Sequence, residues 1–238
     1  GASGFPVSKA LNSTYTVTKH IVDTYRITGK VFLYGSVMGA NFALLLGEKY
    51  PNLYSGVLDV GGNLDAKETY KYFAILANST IPEIRSYLNL PPIYPDTMLQ
   101  FLKDFGIGGA AANVIETGGT PTTNPKAYED ISPTYHANIT IPVITIHSTG
   151  DLLAPFSQVA LYQAAVAKAG RSSLYLVYNT PPVVPGVGSS DANVQAQVPS
   201  RFDELVRWSD SLNNSFSIMQ ISDPQHLAFK SPTLYNDT

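Results

Sequence analysis

The sequence predicts an α/β fold with a mostly parallel sheet and a helical insertion. Short apolar runs at 30–35, 55–62, 141–147 and 174–178 alternate with helix-forming segments, as in sheets that helices cover on both faces. Residues 66–135 interrupt this alternation. The 238 residues, of which 44% are hydrophobic and 14% charged, can bury one sizeable core. We therefore expect one domain with an insertion.

The first part of the chain predicts a helix followed by a strand–turn–helix–strand unit. Residues 7–25 place apolar side chains at mostly helical spacing and are followed by Gly29, which indicates an amphipathic helix. The run 30–35 ends in glycine and suits a buried parallel strand, while residues 41–50 favour a helix. The run 55–62 predicts the next strand.

The middle of the chain predicts a separate helical layer. Loops rich in glycine and proline, such as the one at 108–109, separate helix-like pieces here. We expect an inserted lid at 66–135 and a core made of residues 1–65 and 136–238. The helix-like pieces lie at 66–76, 81–88 and 97–105.

The alternation resumes after the insertion. The run 141–147 predicts a strand, residues 157–170 a helix, and 174–178 a fourth strand. Because prolines and glycines are frequent in 179–199, we expect a loop there, followed by a last helix at 201–212.

Charge and hydropathy exclude two classes of partner. Fifteen basic and 18 acidic residues give a net charge of -3 without long runs of either sign, so there is no electrostatic footprint for nucleic acid or an anionic membrane. No apolar stretch approaches the roughly 18 to 20 residues that a membrane-spanning helix needs. We expect a small molecule or another protein as the partner.

Glycosylation sequons favour the secretory pathway. The chain has no cysteine, so thiols do not indicate the redox compartment. It begins at Gly1 without a methionine, which favours processing of a longer precursor. We expect a secreted or lumenal protein, with a soluble cytoplasmic protein as the alternative. The N-x-[ST] sequons begin at Asn12, Asn78, Asn138, Asn213 and Asn236.

A strand-to-helix turn at 35–39 carries the most informative motif. Its sequence, Gly-Ser-Val-Met-Gly, has small residues where a chain must turn sharply to lift its central side chain over a sheet. The segment 31–44 resembles the strand, nucleophile elbow and helix of esterase- or lipase-like members of the α/β-hydrolase family. Two later segments resemble the same family in the same order: 142–155 is similar to the strand and loop that present the catalytic acid, and 202–208 to the last helix.

The resemblance implies an α/β-hydrolase fold with a degenerate catalytic triad. The nucleophile position falls on Val37, whose side chain has no lone pair to attack a carbonyl. Ser36 lies one residue early, and a displaced nucleophile there is the alternative. The acid position falls on Asp151, which is either a relic of the triad or a loop carboxylate that accepts turn hydrogen bonds.

The general base is missing from the place where the resemblance implies it. The family has a histidine in the loop after the last strand, and residues 179–190 contain none. His226, beyond the last helix, is the alternative base. We expect His147 to be packed at a strand end, and His20 and His136 to be ordinary surface or hinge residues.

The resemblance also implies strands that this chain does not contain. The family has four strands before the helix that leads to the elbow strand, whereas this chain starts at that helix. The strand at 31–34 would then be an apolar sheet edge, which is a site of aggregation. We therefore expect a second polypeptide carrying the N-terminal half of the fold, with domain swapping as the alternative.

The favoured function is non-hydrolytic binding of a small hydrophobic or aromatic ligand in the former active-site pocket. Apolar side chains in place of reactive groups would make that pocket drier, and 15 tyrosines and 10 phenylalanines provide aromatic surface. The alternatives are an esterase-like hydrolase (an inactivated variant or one with a displaced nucleophile), a lyase or cyclase of the same fold, and a structural protein. We expect no metal, and no cofactor other than a tightly bound small organic ligand. The expected ligand-binding residues are Val37, Met38, Asp151, Leu152, Val183 and Val184.

Overall fold

A computed structural model of the chain describes residues 7–183 and 188–212. Within these ranges the strands and helices alternate as predicted, with a run of helices between the second and third strands. The elements are α1 (Val7–Thr24), β1 (Phe32–Ser36), α2 (Met38–Lys49), β2 (Gly56–Val60), α3 (Ala66–Asn78), α4 (Ile81–Tyr87), α5 (Asp96–Thr117), α6 (Pro125–Asp130), β3 (Val143–Ser148), α7 (Ser157–Lys168), β4 (Tyr175–Thr180) and α8 (Ala192–Leu212).

The four strands form one parallel sheet in the order β1-β2-β3-β4. Phe32 lies opposite Gly56, Val57 opposite Val143, and the register continues to β4. Each strand is followed by helical chain and then by its neighbour, so the chain moves across the sheet in one direction. The predicted α/β class with a parallel sheet is confirmed.

Alternate residues of each strand pack against helices on different faces. Leu33 and Val57 lie in a cluster with α1, α2 and α7, whereas Phe32 and Leu58 lie in a cluster with α8. None of these four side chains is more than 1% exposed. Because both faces are covered, the strands are continuous apolar runs rather than alternating ones.

Helix α5 is longer than the sequence predicts, and the expected loop at 108–109 is wrong. A single helix of 22 residues runs through those glycines. A Cβ at Gly106 would lie 2.7 Å from the Cβ of Leu76, and one at Gly109 would lie 2.4 Å from the ring of Phe73. The glycines therefore let α3 approach α5 closely, and this packing offsets the roughly 1 kcal/mol by which each glycine disfavours a helix.

The predicted loop at 179–199 is also too long, because α8 begins at Ala192. Asp191 starts the helix by accepting the backbone N–H of Asn193 on Oδ1 at 2.9 Å. Pro199 lies inside the helix and lacks the N–H that would continue its hydrogen-bond ladder. The helix continues through it because apolar residues before and after the proline pack on the sheet.

A buried glutamine ties the insertion to the core. Gln158, in the first turn of α7, accepts the backbone N–H groups of Leu64 at 2.8 Å and Asp65 at 3.0 Å. Its amide nitrogen donates to the hydroxyl of Thr69 in α3 at 3.0 Å. The entrance to the insertion is therefore fixed against the helix that follows β3.

The turn after β1 depends on Gly35. A Cβ there would lie 2.1 Å from the carbonyl oxygen of Gly39. We predict that Gly35→Ala lowers the free energy of unfolding by roughly 3 kcal/mol or more, because backbone atoms must move apart. Gly39→Ala is the matched control: no atom lies within 4 Å of its Cβ, and alanine favours a helix over glycine by about 1 kcal/mol. Urea denaturation measures both variants, and equal stabilities would contradict the prediction.

Candidate functional site

Val37 occupies the middle of the turn between β1 and α2. Its backbone has φ 54° and ψ -116°, a conformation that is rare for a β-branched residue. Its N–H donates to the carbonyl of Val60 at 3.0 Å, and its own carbonyl accepts from Ala40 at 3.2 Å. The side chain is 38% exposed, and Met38, the first residue of α2, is half-buried. The sharp turn is present, with valine where the resemblance places a nucleophile.

Ser36 belongs to the strand rather than to the turn. It is the last residue of β1 and lies opposite Val60 in the register. Because side chains alternate along a strand, Ser36 falls on the same face as Phe32, which packs against α8. The central position of the elbow remains that of Val37.

Asp151 closes a turn after β3. It is 7% exposed, and its Oδ1 accepts the backbone N–H groups of Leu153 at 2.8 Å and Ala154 at 2.9 Å. Burial raises the pKa of this carboxyl, and the N–H groups and His147 oppose the rise. Asp151 therefore makes the contacts of a loop carboxylate that accepts turn hydrogen bonds, which is one of the two roles considered for it from the sequence.

His147 is fully buried next to this turn. Its Nε2 lies 2.8 Å from the carbonyl oxygen of Ala154 and 3.6 Å from Oδ2 of Asp151, so Nε2 carries the proton. Nδ1 has no hydrogen-bond partner among the described residues. His147 is thus packed at a strand end, as predicted, and His20 and His136 are exposed.

The loop after β4 meets Asp151 through Gly188, a contact that the sequence did not reveal. A Cβ at Gly188 would lie 2.3 Å from Oδ2 of Asp151, and the residue has φ 52°. The backbone of Gly188 is therefore packed against the Asp151 carboxylate, at the position where the resemblance implies a histidine. Val183, in the same loop, is 58% exposed and donates its N–H to Asp191 at 2.8 Å. The predicted residues Val184 and His226 lie outside the described ranges.

Asp59 is a second buried carboxylate that the sequence analysis missed. It lies in β2 and is 0% exposed. Its two oxygens accept the N–H of Gly62 at 3.0 Å and the hydroxyl of Thr145 at 2.7 Å, and the Tyr175 hydroxyl donates to Thr145 at 3.1 Å. Burial raises the pKa of Asp59, and the hydrogen bond from Thr145 opposes the rise. The sequence did contain a signal for this site, because Asp59 is the single carboxylate within the apolar run 55–62.

Aromatic residues of the insertion adjoin the Asp151 turn. The hydroxyl of Tyr72 donates to the carbonyl of Leu152 at 2.6 Å, and Leu152 and Leu153 pack against the apolar cluster of the insertion. The ring of Tyr87 lies 6.3 Å from that of Tyr72 and is 51% exposed. The insertion therefore contributes to the carboxyl-end edge of the sheet.

A cavity of about 1240 Å³ lies elsewhere, between α1, α2, α7 and the end of the insertion. Its lining includes Glu48 and Lys49, in the last turn of α2. Because α2 starts at the carboxyl end of β1 and runs back, this cavity lies toward the amino ends of the strands. The Tyr162 hydroxyl donates to Glu48 at 2.8 Å, and burial raises the pKa of Glu48 well above its usual value. This cavity is distinct from the pocket expected at the carboxyl ends.

Two other kinds of site do not occur in residues 7–183 and 188–212. No three histidine, cysteine, aspartate or glutamate side chains there are arranged to hold a metal ion. None of the helices in these ranges is long and apolar enough to cross a membrane.

Burial of Asp59 predicts a pH-dependent stability. Its pKa is higher in the folded chain, so its stabilising effect is full below the usual aspartate pKa of about 3.9 and is lost as the pH rises through the raised pKa. We predict that Asp59→Asn makes the free energy of unfolding fall less between about pH 4 and pH 7. Asp203→Asn, on the exposed side of α8, controls for the change in net charge. Urea denaturation across this range gives the profiles, and the same profile for Asp59→Asn and the unmodified chain would refute the prediction.

Comparison with known sequences provides little. No protein-family model matches the sequence. Tubby-related protein 4 of Mus musculus is 27% identical over 126 residues, which are 51% of this chain and 7% of that protein. This likeness covers too little of that protein to indicate a function.

Solved structures of similar architecture include three hydrolases. The Pyrococcus furiosus esterase Pf2001 is 16% identical with a TM-score of 0.55, over 85% of this chain and 63% of its own. A puromycin-hydrolyzing peptidase of Mycobacterium tuberculosis is 16% identical with a TM-score of 0.55, over 89% of this chain and 27% of its own. The Pyrococcus horikoshii acylaminoacyl peptidase is 11% identical with a TM-score of 0.50, over 87% and 27%. The chain spans less than two thirds of the length of each.

At these identities the likeness concerns architecture, and it agrees with the features described above. The parallel order β1-β2-β3-β4, the sharp turn at Val37 and the acidic turn after β3 all follow the order that the resemblance implied. The chain has the fold of the α/β-hydrolases.

Proposed function

We propose that this chain is the C-terminal part of an α/β-hydrolase-like protein that binds a small hydrophobic or aromatic ligand without hydrolysing it. The observation that carries the proposal is the valine in the elbow conformation. The turn is kept, at a cost of about 1–3 kcal/mol for a strained backbone, while its central side chain cannot act as a nucleophile.

The surroundings of the acid support the same conclusion. One oxygen of Asp151 accepts two backbone N–H groups, and the backbone of Gly188 lies against the other. No imidazole stands between this carboxylate and Val37 among the described residues, since His147 donates to a backbone carbonyl. Among the described residues, these observations support the loss of the nucleophile and of the base as two separate changes.

Exposed apolar side chains at one edge of the sheet support a ligand site. Val37, Leu152 and Val183 follow the carboxyl ends of β1, β3 and β4. Val37 is 38% and Val183 58% exposed, and Leu152 is half-buried. Covering such surface favours binding by about 25 cal/mol per Å². We assign the ligand to this edge, with the insertion as its lid.

An esterase-like hydrolase is the second candidate, because an esterase and two peptidases share the fold. It would need Ser36 as a displaced nucleophile. A lyase or cyclase that uses Asp151 in this pocket is a further alternative. Turnover of a p-nitrophenyl ester by the purified chain would favour the hydrolase over the ligand-binding protein and over the lyase or cyclase.

Two further features belong to the proposal. Asn12, Asn78 and Asn138 are exposed, which supports glycosylation in the secretory pathway, while Asn213 and Asn236 lie outside the described residues.

Strand β1 pairs only with β2 among the described residues, so its other side requires a covering strand. A second polypeptide carrying the N-terminal half of the fold is the favoured source of that strand, and domain swapping between two copies of this chain is the alternative.

We predict that a fluorophosphonate probe does not label the chain, because such probes need an activated hydroxyl. Val37→Ser alone should add little labelling and little esterase activity, since triad members act as a unit and no histidine of the described residues is placed to act as the base. Ser36→Ala is the matched control and should change nothing. Stoichiometric labelling that peptide mapping assigns to Ser36 would establish the displaced nucleophile instead.

We predict that Val37→Asp weakens binding of an apolar dye such as Nile red by about tenfold or more, because a carboxylate would enter an apolar site. Val17→Asp is the matched control, since Val17 lies on α1 and is 56% exposed. A fluorescence titration measures both variants, with circular dichroism to verify the fold. Unchanged affinity in a folded Val37→Asp variant would place the dye elsewhere.

A further inference from the structure

Glu48, in the last turn of α2, lies on the lining of the cavity between α1, α2, α7 and the end of the insertion. Its Oε1 accepts the hydroxyl of Tyr162 at 2.8 Å. Its Oε2 is buried and has no hydrogen-bond partner among the described residues. A buried polar atom without a partner is unfavourable, so this carboxyl group is suited to a donor that the described chain does not provide.

Other polar side chains on the same lining already have partners. The hydroxyl of Thr134 donates to a backbone carbonyl at 2.7 Å, and the side-chain oxygen of Asn138 accepts a guanidinium N–H at 2.9 Å. Asp130 forms an ion pair with Lys126. Of the buried side-chain oxygens and nitrogens that lack a partner in residues 7–183 and 188–212, Oε2 of Glu48 is the one on this lining. Glu48 therefore marks where a polar group of a ligand would bind.

The charge of Glu48 is also unbalanced within the described part of the chain. None of the ion pairs found there includes Glu48. Lys49 and Lys168 line the cavity but are exposed, where solvent screens their charge. Burial raises the pKa of Glu48 well above its usual value, although the hydrogen bond from Tyr162 opposes the rise. Because a nearby cation favours the ionised form of a carboxyl group, a positively charged ligand would supply the missing partner.

The size and the remaining lining of the cavity favour an organic cation. Its volume of about 1240 Å³ is sufficient for a small organic molecule. A bare metal ion would need several oxygen ligands, and no three acidic or histidine side chains of the described residues are arranged to provide them. The lining also carries apolar side chains, among them those of Leu11, Leu45, Ile131, Ala137, Ala165 and Ala169.

We propose that this cavity binds a small organic amine, whose ammonium group pairs with Glu48 and whose hydrocarbon part contacts the apolar lining. The outermost torsion of a glutamate side chain has a broad energy minimum, so the carboxyl group can turn an oxygen toward the cavity. The site is separate from the ligand position assigned to the carboxyl ends of the strands, and the proposal does not depend on that assignment.

The proposal is tested by comparing n-butylamine with n-butanol as probes of the purified chain. The two have hydrocarbon parts of equal length, and only the amine is a cation at about pH 7. We expect the amine to bind at least about tenfold more tightly, because a hydrogen bond to a charged group is stronger than one between neutral groups. Two-dimensional NMR titrations give both affinities, and the shifted amides should include those of Ala137 and Ala165. KCl at the same concentration controls for ionic strength.

Glu48→Gln removes the charge but keeps an oxygen that can accept the Tyr162 hydroxyl. It should weaken n-butylamine binding by at least about tenfold and change n-butanol binding by less than about twofold. Asp130→Asn is the matched control, because it removes a second carboxylate from the lining. Since Lys126 already pairs with that carboxylate, the affinity for n-butylamine should change by less than about twofold. Circular dichroism verifies that both variants fold.

Equal affinities of the two probes would overturn the proposal, as would unchanged n-butylamine binding in a folded Glu48→Gln variant. Shifts that KCl reproduces, or that lie away from the cavity, would show that amines associate only with the surface and would overturn it too. If Glu48→Gln does not fold, the comparison of the two probes in the unmodified chain decides. Nile red binding at Val37 is measured separately, so the failure of one site does not imply the failure of the other.

Discussion

The close contact between the backbones of Gly35 and Gly39 is the constraint on which the rest of the structure depends. Because a Cβ at Gly35 would overlap the carbonyl of Gly39, only glycine lets α2 begin directly after β1. That turn forces Val37 to a positive φ and sends α2 back along the sheet to bury Leu33 and Val57. The strained turn therefore serves the packing of the sheet, which explains why it is compatible with a valine at its centre.

The Asp151 turn shows how an acidic position can remain stable without a catalytic partner. A buried carboxylate is costly unless donors satisfy it, and here the donors are backbone N–H groups of its own loop. Gly188 covers it from the loop after β4, and Tyr72 holds the insertion to Leu152. Three segments thus meet at the Asp151 turn through contacts that require neither a histidine nor a nucleophile.

The sequence was informative where local pattern decides the structure. Apolar runs predicted the four strands found in the described residues, and the overlay of the motif at 35–39 placed Val37 at the centre of the turn. The glycines of α5 misled because their role is close packing against Phe73 and Leu76, which a local pattern does not contain. Asp59 and Gly188 were missed for the same reason: each is defined by partners far away in the chain, Thr145 for one and Asp151 for the other.

The elbow follows the same strand, β1, whose outer side has no neighbour among the described residues, and this links the proposed ligand site to the completion of the sheet. Val37 follows β1 directly, so a strand that covered the outer side of β1 would have one of its ends next to Val37. An apolar ligand binds more tightly when more apolar surface of the pocket is buried against it. The strand beside β1 would form the wall of the proposed pocket on the Val37 side. Under the proposed function, a strand that covers this edge would stabilise the sheet and also form one wall of the proposed pocket, so the two effects would be coupled through β1.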